Sequence, residues 1–197
     1  MVNEMNDLQE RLDLSVAKNR LNNWVAISVS LISVFMAITK VKDDNIVQAM
    51  LQTKSDAVDT WNEYQSKKIK HHMAELGLNQ VKALQVMEYG KGGTELSFQQ
   101  AGYHEAIVRY QKDEESLRLK AMAFEKQYDD LNYRDDQFDL SDAIFSITLA
   151  MLAITALTGK QKLLVLAWLF AGFGLIMGLA GLMGFPLHPA ALVKLLS

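Results

Sequence analysis

The sequence predicts an all-α membrane protein, with three transmembrane helices and a long extramembrane antiparallel coiled-coil hairpin between the first and second of them. Three observations lead to this fold class. The 197 residues are 50% hydrophobic and 22% charged, but the charges are concentrated between two nearly uncharged regions. The polar region between these two contains no proline, which favours long helices. Its later part repeats apolar residues at three- and four-residue intervals, as coiled-coil helices do.

Three apolar runs are long enough to cross a bilayer. About 20 helical residues span the roughly 30 Å of hydrocarbon. Two of the runs carry no charge, and the other carries only Asp142, near its start. Three buried helices of a soluble bundle are the alternative, which the length and uniform hydrophobicity of the last run disfavour. The predicted transmembrane helices are residues 21–39, 140–158 and 163–185.

Shorter segments flank and join these runs. Residues 1–20 are predicted to form an amphipathic N-terminal segment, which is not expected to be a cleaved signal peptide. Residues 159–162 are so short a link that the second and third transmembrane helices must be antiparallel neighbours. Residues 186–197 are predicted to form a C-terminal tail.

Basic residues near the membrane segments predict the orientation. Four of them lie on the same side of a three-span topology, and the positive-inside rule favours that side as cytoplasmic. The N-terminus is therefore expected in the cytoplasm and the hairpin on the opposite side, although Lys40 and Lys42 weaken the asymmetry. The four residues are Lys18, Arg20, Lys160 and Lys162.

Small residues form a stripe along each predicted transmembrane helix. Lipid is as apolar as leucine, so helices associate in a membrane where small residues let their backbones approach. Helix packing is therefore the favoured interpretation, and the alternative is that small residues are simply common in such helices. The stripes are Ala26, Ser30, Ser33 and Ala37 in the first helix, Ala143, Ser146, Ala150 and Ala153 in the second, and Ala167, Ala171, Gly174, Gly178 and Gly181 in the third.

Residues 40–139 are predicted to form the hairpin, with its turn near residues 89–96. Apolar residues at heptad spacing define a seam along the second arm, which Glu114 and Asp135 interrupt. The predicted seam consists of Tyr103, Ile107, Tyr110, Leu117, Phe124, Tyr128 and Leu131 on the second arm, facing Val47, Met50, Ala57, Trp61, Tyr64 and Ile69 on the first. An aromatic binding platform is the alternative interpretation, and seam packing is favoured.

Two residues predict where the arms of the hairpin begin and end. Gly77 is expected to end or kink the first arm, because glycine often closes a helix. Ser97, with Gln100 three residues later, is expected to cap the start of the second arm.

Four polar residues are candidates for a functional site. His71, His72 and His104 suggest a metal site, but adjacent histidines point about 100° apart on a helix. A solvated basic face is therefore the favoured interpretation of His71 and His72. Asp142 lies at the predicted bilayer boundary, where a carboxylate is costly and often functional. It is a candidate for an ion-related role, and the alternative is that it only marks the interface.

Two segments suggest a family. The stretch from Asp59 to Lys70 has the pattern D-x-W-x-x-Y-Q-x-K-x-I-K, and Arg134 to Asp139 has the sequence RDDQFD immediately before the paired apolar runs. Together they resemble an uncharacterised bacterial membrane family, domain of unknown function 4337. The resemblance covers nearly the whole chain. It implies the architecture and a bacterial membrane location, and it transfers no catalytic residue.

The sequence predicts a protein that acts by interaction and carries out no chemistry. The absence of cysteine excludes thiol catalysis, and no phosphate-binding loop, dinucleotide fingerprint or HExxH motif is present. The net charge of −3 gives no basic face for nucleic acid. We expect no cofactor and no metal. The expected function is a scaffold in the lipid bilayer whose hairpin drives homo-oligomerisation or docks a protein partner. The alternative is a homo-oligomeric ion channel or transport-accessory subunit, with the first transmembrane helix and Asp142 near the path.

Overall fold

The computed structural model describes residues 2–87, 93–185 and 187. Within these ranges the chain forms three helices and no strand, which confirms the all-α prediction. Each helix contains a stretch that is long and apolar enough to cross a membrane. The helices are α1 (Val2–Met87), α2 (Gly93–Thr158) and α3 (Gln161–Met183).

The first helix continues without a break through Gly77, so the expectation that this glycine ends or kinks the first arm was wrong. Gly77 instead leaves space for an aromatic ring of α2. A Cβ atom built on Gly77 would lie 2.5 Å from two atoms of the Tyr103 ring. Since real side chains do not approach so closely, glycine is needed here for helix packing.

The second helix begins earlier than expected. It starts at Gly93, so Ser97 lies inside its first turns, where its hydroxyl donates a hydrogen bond to the Thr94 carbonyl at 2.7 Å. Ser97 is therefore not the capping residue. Of the turn predicted near 89–96, residues 88–92 lie outside the described residues, and residues 93–96 are helical. The predicted C-terminal tail also lies outside them, except for Leu187.

The chain divides into two compact units. The three-helix unit comprises Met1–Gln48 and Leu131–Ser197, so it contains the start of α1, the end of α2, and α3. The two-helix unit comprises Ala49–Asp130, the remaining parts of α1 and α2.

All three helices contribute to the core of the three-helix unit. Aromatic contacts join them in pairs: the Trp24 and Trp168 rings meet edge to face with centroids 5.9 Å apart, and Phe35 and Phe145 do so at 5.6 Å. Trp168 Nε1 also donates a hydrogen bond to Ser28 Oγ at 3.0 Å. The buried core residues are Leu21, Val25, Ile32, Phe145, Leu152, Leu164 and Ala167, with a second cluster of Leu140, Ile144 and Met177.

The structure places the three small-residue stripes differently. In α3, Ala167, Gly174, Gly178 and Gly181 are buried and Ala171 is half-buried. In α2, Ala143 is half-buried, whereas Ser146, Ala150 and Ala153 are exposed. All four stripe residues of α1 are exposed.

Helix α3 therefore provides the close approach for all three helices. A Cβ atom on Gly178 would lie 2.7 Å from the Phe35 ring of α1 and 2.8 Å from Ser141 Oγ of α2. One on Gly181 would lie 3.0 Å from the Phe138 ring. The glycines of α3 receive larger side chains from its neighbours, so α1 and α2 do not need to turn their own small residues inward.

In the two-helix unit, α1 and α2 run antiparallel. Trp61 contacts Glu125, whereas Gly77, further along α1, packs against Tyr103, which is earlier in α2. The predicted seam residues of α2 are half-buried, as are Trp61 and Tyr64. The buried residues of α1 in this unit recur mostly at three- and four-residue intervals, with a gap of eleven residues between Thr60 and His71. They are Met50, Thr53, Ala57, Thr60, His71, Ala74, Gly77, Leu78 and Val81.

Two side chains of α1 that were expected to face inward do not. Val47 and Ile69 are exposed. Met50 and Ala57 are buried and Trp61 and Tyr64 are half-buried, as expected. The buried face of α1 also includes polar residues such as Thr53, Thr60 and His71, which hydrophobicity alone does not reveal.

Candidate functional site

The RDDQFD segment of α2, residues 134–139, forms hydrogen bonds with the end of α3. Helix α3 ends at Met183, and Gly184 follows in the left-handed conformation, with φ of 70°. The last carbonyl groups of a helix have no partner within the helix. Arg134 satisfies one of them, because its Nε and Nη2 donate to the Gly181 carbonyl at 3.2 and 3.0 Å. The buried Gln137 donates from Nε2 to the carbonyls of Phe185 and Leu187, at 2.8 and 2.6 Å.

The aspartates of this segment contribute to a carboxylate cluster in the three-helix unit. Asp43 of α1 is its most buried member, with 5% of its side chain exposed. Its Oδ2 accepts a hydrogen bond from Lys40 Nζ at 2.8 Å. Its Oδ1 is buried and has no partner among the described residues. Asp135 and Asp139 of α2 are near enough to Asp43 for its charge to act on both of them.

Burial and mutual repulsion raise the proton affinity of Asp135 and Asp139. Burial, the neighbouring carboxyl group of Asp43 and the nearby charge of Asp139 raise the pKa of Asp135 to about 7. Burial and the charge of Asp43 likewise raise the pKa of Asp139, against the opposing effect of Lys40. The hydrogen bond to Asp43 raises the pKa of Lys40. A buried carboxyl group surrounded by other carboxylates is uncharged more readily than one in water.

Asp142, the candidate for an ion-related role, belongs to the same cluster. Its Oδ1 is buried without a hydrogen-bond partner among the described residues, and its charge acts on Lys40. Asp142 stands out in the sequence as a charge at the edge of an apolar run, whereas Asp43 does not stand out. The signal for Asp43 was its position, four residues after the buried Thr39 and three before the buried Ile46, in the heptad phase that the rest of α1 follows.

A carboxyl group in such a cluster can bind a proton. Among the described residues, no group of three or more histidine, aspartate or glutamate side chains is placed to hold a metal ion. A carboxylate and a carboxylic acid, by contrast, can share one proton, since the acid donates and the carboxylate accepts.

The three histidines lie in the two-helix unit, and His71 does not belong to a solvated face as expected. His71 is buried, and its Nδ1 lies 2.8 Å from Glu114 Oε1 on α2. Its Nε2 is 3.6 Å from Glu75 Oε1. His72 is exposed, with its Nδ1 3.0 Å from Glu75 Oε2 and its ring stacked on that of His71. His104 is exposed and joins neither.

Trp61 and Tyr128 of the predicted seam border a groove of about 300 Å³ in the two-helix unit. Trp61 Nε1 donates a hydrogen bond to Glu125 Oε1 at 2.9 Å, and its ring meets Tyr64 edge to face. Lys54 Nζ lies over the Tyr128 ring, 4.9 Å from its centroid. The contacts of Trp61 with Glu125 and of Lys54 with Tyr128 join α1 to α2.

Comparison with known proteins identifies the family. Residues 21–184 match the family model described as Domain of unknown function (DUF4337). The chain belongs to this family. No curated protein and no solved structure matches it.

In this member of the family, both segments that carry the resemblance lie at contacts between helices. The first, Asp59 to Lys70, includes Trp61 and also Lys67, whose Nζ donates to Asp113 Oδ2 of α2 at 2.7 Å. That bond raises the pKa of Lys67 and lowers the pKa of Asp113. The second segment holds the end of α3 and contributes to the carboxylate cluster. The two segments that carry the family resemblance therefore contain residues that join the helices.

We expect the substitution Glu114→Ala to destabilise the two-helix unit. It leaves the buried His71 without its partner on α2, and a buried polar group left unsatisfied costs about 1–3 kcal/mol. The measurement is chemical denaturation of the full chain in detergent. The matched control is Glu115→Ala, which removes an exposed ion pair with Arg118 that is worth at most about 1 kcal/mol. Equal losses of stability in the two variants would contradict the pairing.

Proposed function

We propose that the protein is a non-enzymatic, self-associating scaffold of a bacterial membrane. In this proposal residues 21–39, 140–158 and 163–185 span the bilayer, and the antiparallel arms between the first two spans form a coiled-coil hairpin outside it. The exposed apolar surface supports the membrane location. Only 17% of the apolar stretch of α1 is buried within the chain, and 39% and 33% of those of α2 and α3. Soluble proteins rarely expose contiguous apolar surface of this extent, whereas lipid covers it at no cost.

A second apolar face on α1 carries the proposal of self-association. In the two-helix unit, five large apolar side chains lie on the back of α1, opposite the face that packs against α2. Their spacing of three, four, seven and eleven residues keeps them in one stripe. They are between 49% and 67% exposed, and they are Leu51, Val58, Ile69, Met73 and Leu76.

A second copy of the chain is the proposed occupant of this back face. A helix with two apolar faces is typical of the interior of a larger bundle, and α2 covers only one of the two. The exposed stripe of Ala26, Ser30, Ser33 and Ala37 supports the same association, since small residues permit close contact between helices in lipid. The hairpin remains a candidate to dock a different protein partner as well.

The mass of the detergent-solubilised particle tests the proposal. We expect several copies per particle for the wild type. The triple variant Val58→Ser, Ile69→Ser, Leu76→Ser is expected to lower the number of copies, because it removes much of the apolar area of the back face.

The matched control replaces three exposed polar residues beside that face: Glu63→Ser, Lys70→Ser and Asn79→Ser. These changes are expected to leave the mass unchanged. A wild-type particle that contains one chain, or equal masses for the two triple variants, would refute self-association through the back of α1.

The second candidate function is a homo-oligomeric ion channel or transport-accessory subunit. Two observations favour it: the serines of the α1 stripe, Ser30 and Ser33, are exposed, and Asp142 has a buried, unpartnered oxygen. In an assembly, such a stripe either packs against a neighbour or lines a wet path. Ion flux across vesicles that contain the purified particle would favour this function over the scaffold.

A further inference from the structure

We propose that a groove between α1 and α3 binds an anionic phospholipid. The groove lies in the three-helix unit, at the end where α1 and α3 both begin their predicted transmembrane segments. This lipid site rests on the membrane location in the proposed function and is independent of self-association. A particle with a single copy of the chain would leave it intact.

The groove has the size and the mixed wall of a ligand site. Its volume is about 460 Å³, and sites for small molecules occupy roughly 300–1,000 Å³. Arg20 is the one charged residue among the described residues that line it, and most of the others are apolar. The wall includes Val16 and Trp24 of α1, Leu164 and Val165 of α3, and the polar Arg20 and Gln161.

The order of these residues along the two helices matches an amphipathic ligand. Trp24 lies one turn deeper in the predicted membrane segment than Arg20, and Val165 lies one turn deeper than Gln161. The polar groups are therefore on the water side of the groove, and Arg20 and Gln161 are exposed there. A guanidinium group suits a phosphate, to which it donates several hydrogen bonds. The phosphate of the lipid binds Arg20, and its acyl chains continue along the apolar wall.

The charge at this end of the three-helix unit favours an anion. No acidic residue occurs between residues 14 and 42 or after Asp142. The acidic residue that comes closest along α1 is Asp13, about two turns before Arg20. Helix α3 also begins here, at Gln161, and the positive end of a helix dipole attracts negative charge. The basic residues near this end are Lys18, Arg20, Lys160 and Lys162.

Two tryptophans support a position at the membrane interface. Tryptophan is enriched where the hydrocarbon of a bilayer meets water. Trp24 lines the groove, and its ring meets that of Trp168 edge to face, with centroids 5.9 Å apart. The third tryptophan of the chain, Trp61, lies in the two-helix unit. Tryptophan fluorescence therefore reports on what occupies the groove.

Fluorescence quenching in vesicles tests the proposal, because a brominated acyl chain quenches a tryptophan that it touches. The full chain is reconstituted into phosphatidylcholine vesicles that contain a small fraction of either brominated phosphatidylglycerol or brominated phosphatidylcholine. We expect the wild type to be quenched more strongly by the phosphatidylglycerol. Arg20→Gln is expected to weaken the binding of phosphatidylglycerol about fivefold, which is the effect of one basic residue at a membrane surface.

The matched control is Lys18→Gln, which removes a positive charge at the same end of the unit from a described residue outside the groove wall. It is expected to keep the stronger quenching by phosphatidylglycerol. Equal quenching of the wild type by the two lipids, or the same loss in Lys18→Gln as in Arg20→Gln, would overturn the lipid site.

Two further arms separate this site from a free anion site and from the proposed function. Inorganic phosphate, added at constant ionic strength, is expected to leave the quenching unchanged. A reduction by phosphate would overturn the lipid site in favour of a site for a free anion. Absence of quenching by either brominated lipid would refute the membrane location, and the lipid site with it.

Discussion

Replacement of Gly178 by leucine is expected to disrupt the packing of the three-helix unit. Even a single added carbon at this position would lie 2.7 Å from the Phe35 ring and 2.8 Å from Ser141 Oγ. Adding methylene groups to a packed core costs about 1–3 kcal/mol, and sometimes more. Leucine adds several carbons where α3 meets both of its neighbours, so we expect an effect at the upper end of that range or beyond it.

The measurement is the melting temperature of the detergent-solubilised chain, together with tryptophan fluorescence as a report on the contact between Trp24 and Trp168. The matched control is Gly172→Leu in the same helix, because a Cβ atom on Gly172 meets no atom within 4 Å. We expect the control to melt close to the wild type. Equal melting temperatures for the two variants would show that α3 does not depend on Gly178 for its packing.

The substitution Phe138→Ala is expected to lower the stability of the three-helix unit by a comparable amount. The cause here is a cavity in the core, not an added side chain. Phe138 is 1% exposed, and its ring fills the space over Gly181. Deletion of a buried phenylalanine side chain costs about 3–5 kcal/mol. The loss is also expected to loosen the end of α3, because the neighbouring Gln137 holds the carbonyls of Phe185 and Leu187.

Chemical denaturation in detergent measures this loss. The control is Phe98→Ala in the same helix, whose side chain is 78% exposed, so the change is expected to stay within about 0.5 kcal/mol. A similar small change for Phe138→Ala would mean that the space over Gly181 can close without the ring.

The sequence allowed the packing side of α3 to be predicted, but not that of α1. In α3 the glycines at three- and four-residue spacing stand out among large apolar residues, and Gly174, Gly178 and Gly181 are buried. The small stripe of α1 looked similar, yet it is exposed. Spacing identifies a face of a helix and does not say whether the neighbour lies within the same chain.

In the two-helix unit, the buried face of α1 was hard to predict because several of its residues are polar. Large apolar residues at heptad positions, such as Tyr110 and Leu117, mark one side of α2 and are half-buried. The buried face of α1 contains Thr53, Thr60 and His71, while its apolar Ile69 is exposed. Hydrophobicity does not identify the polar members of a mixed buried face, because the burial of a residue such as His71 depends on a partner such as Glu114 on the other helix.

The carboxylate cluster could be recognised only in part, for a related reason. Asp135 was noticed as an interruption of the apolar seam, and Asp142 as a charge at the edge of an apolar run. Asp43 belongs to a different helix and lies far away in the sequence. Only the structure shows that its buried side chain lies near enough to Asp135 for their charges to interact.

The glycines of α3 receive larger side chains from α1 and α2. This packing limits the order in which substitutions can accumulate as the family diverges. Gly178 and Gly181 have no room for a side chain while Phe35, Ser141 and Phe138 keep their size. A smaller residue must therefore appear first on α1 or α2, and only then does a larger one become tolerable on α3. Lineages that skip the first step pass through a poorly packed intermediate. The glycines are thus expected to change late and together with their partners, whereas exposed positions such as Leu169 are expected to vary independently.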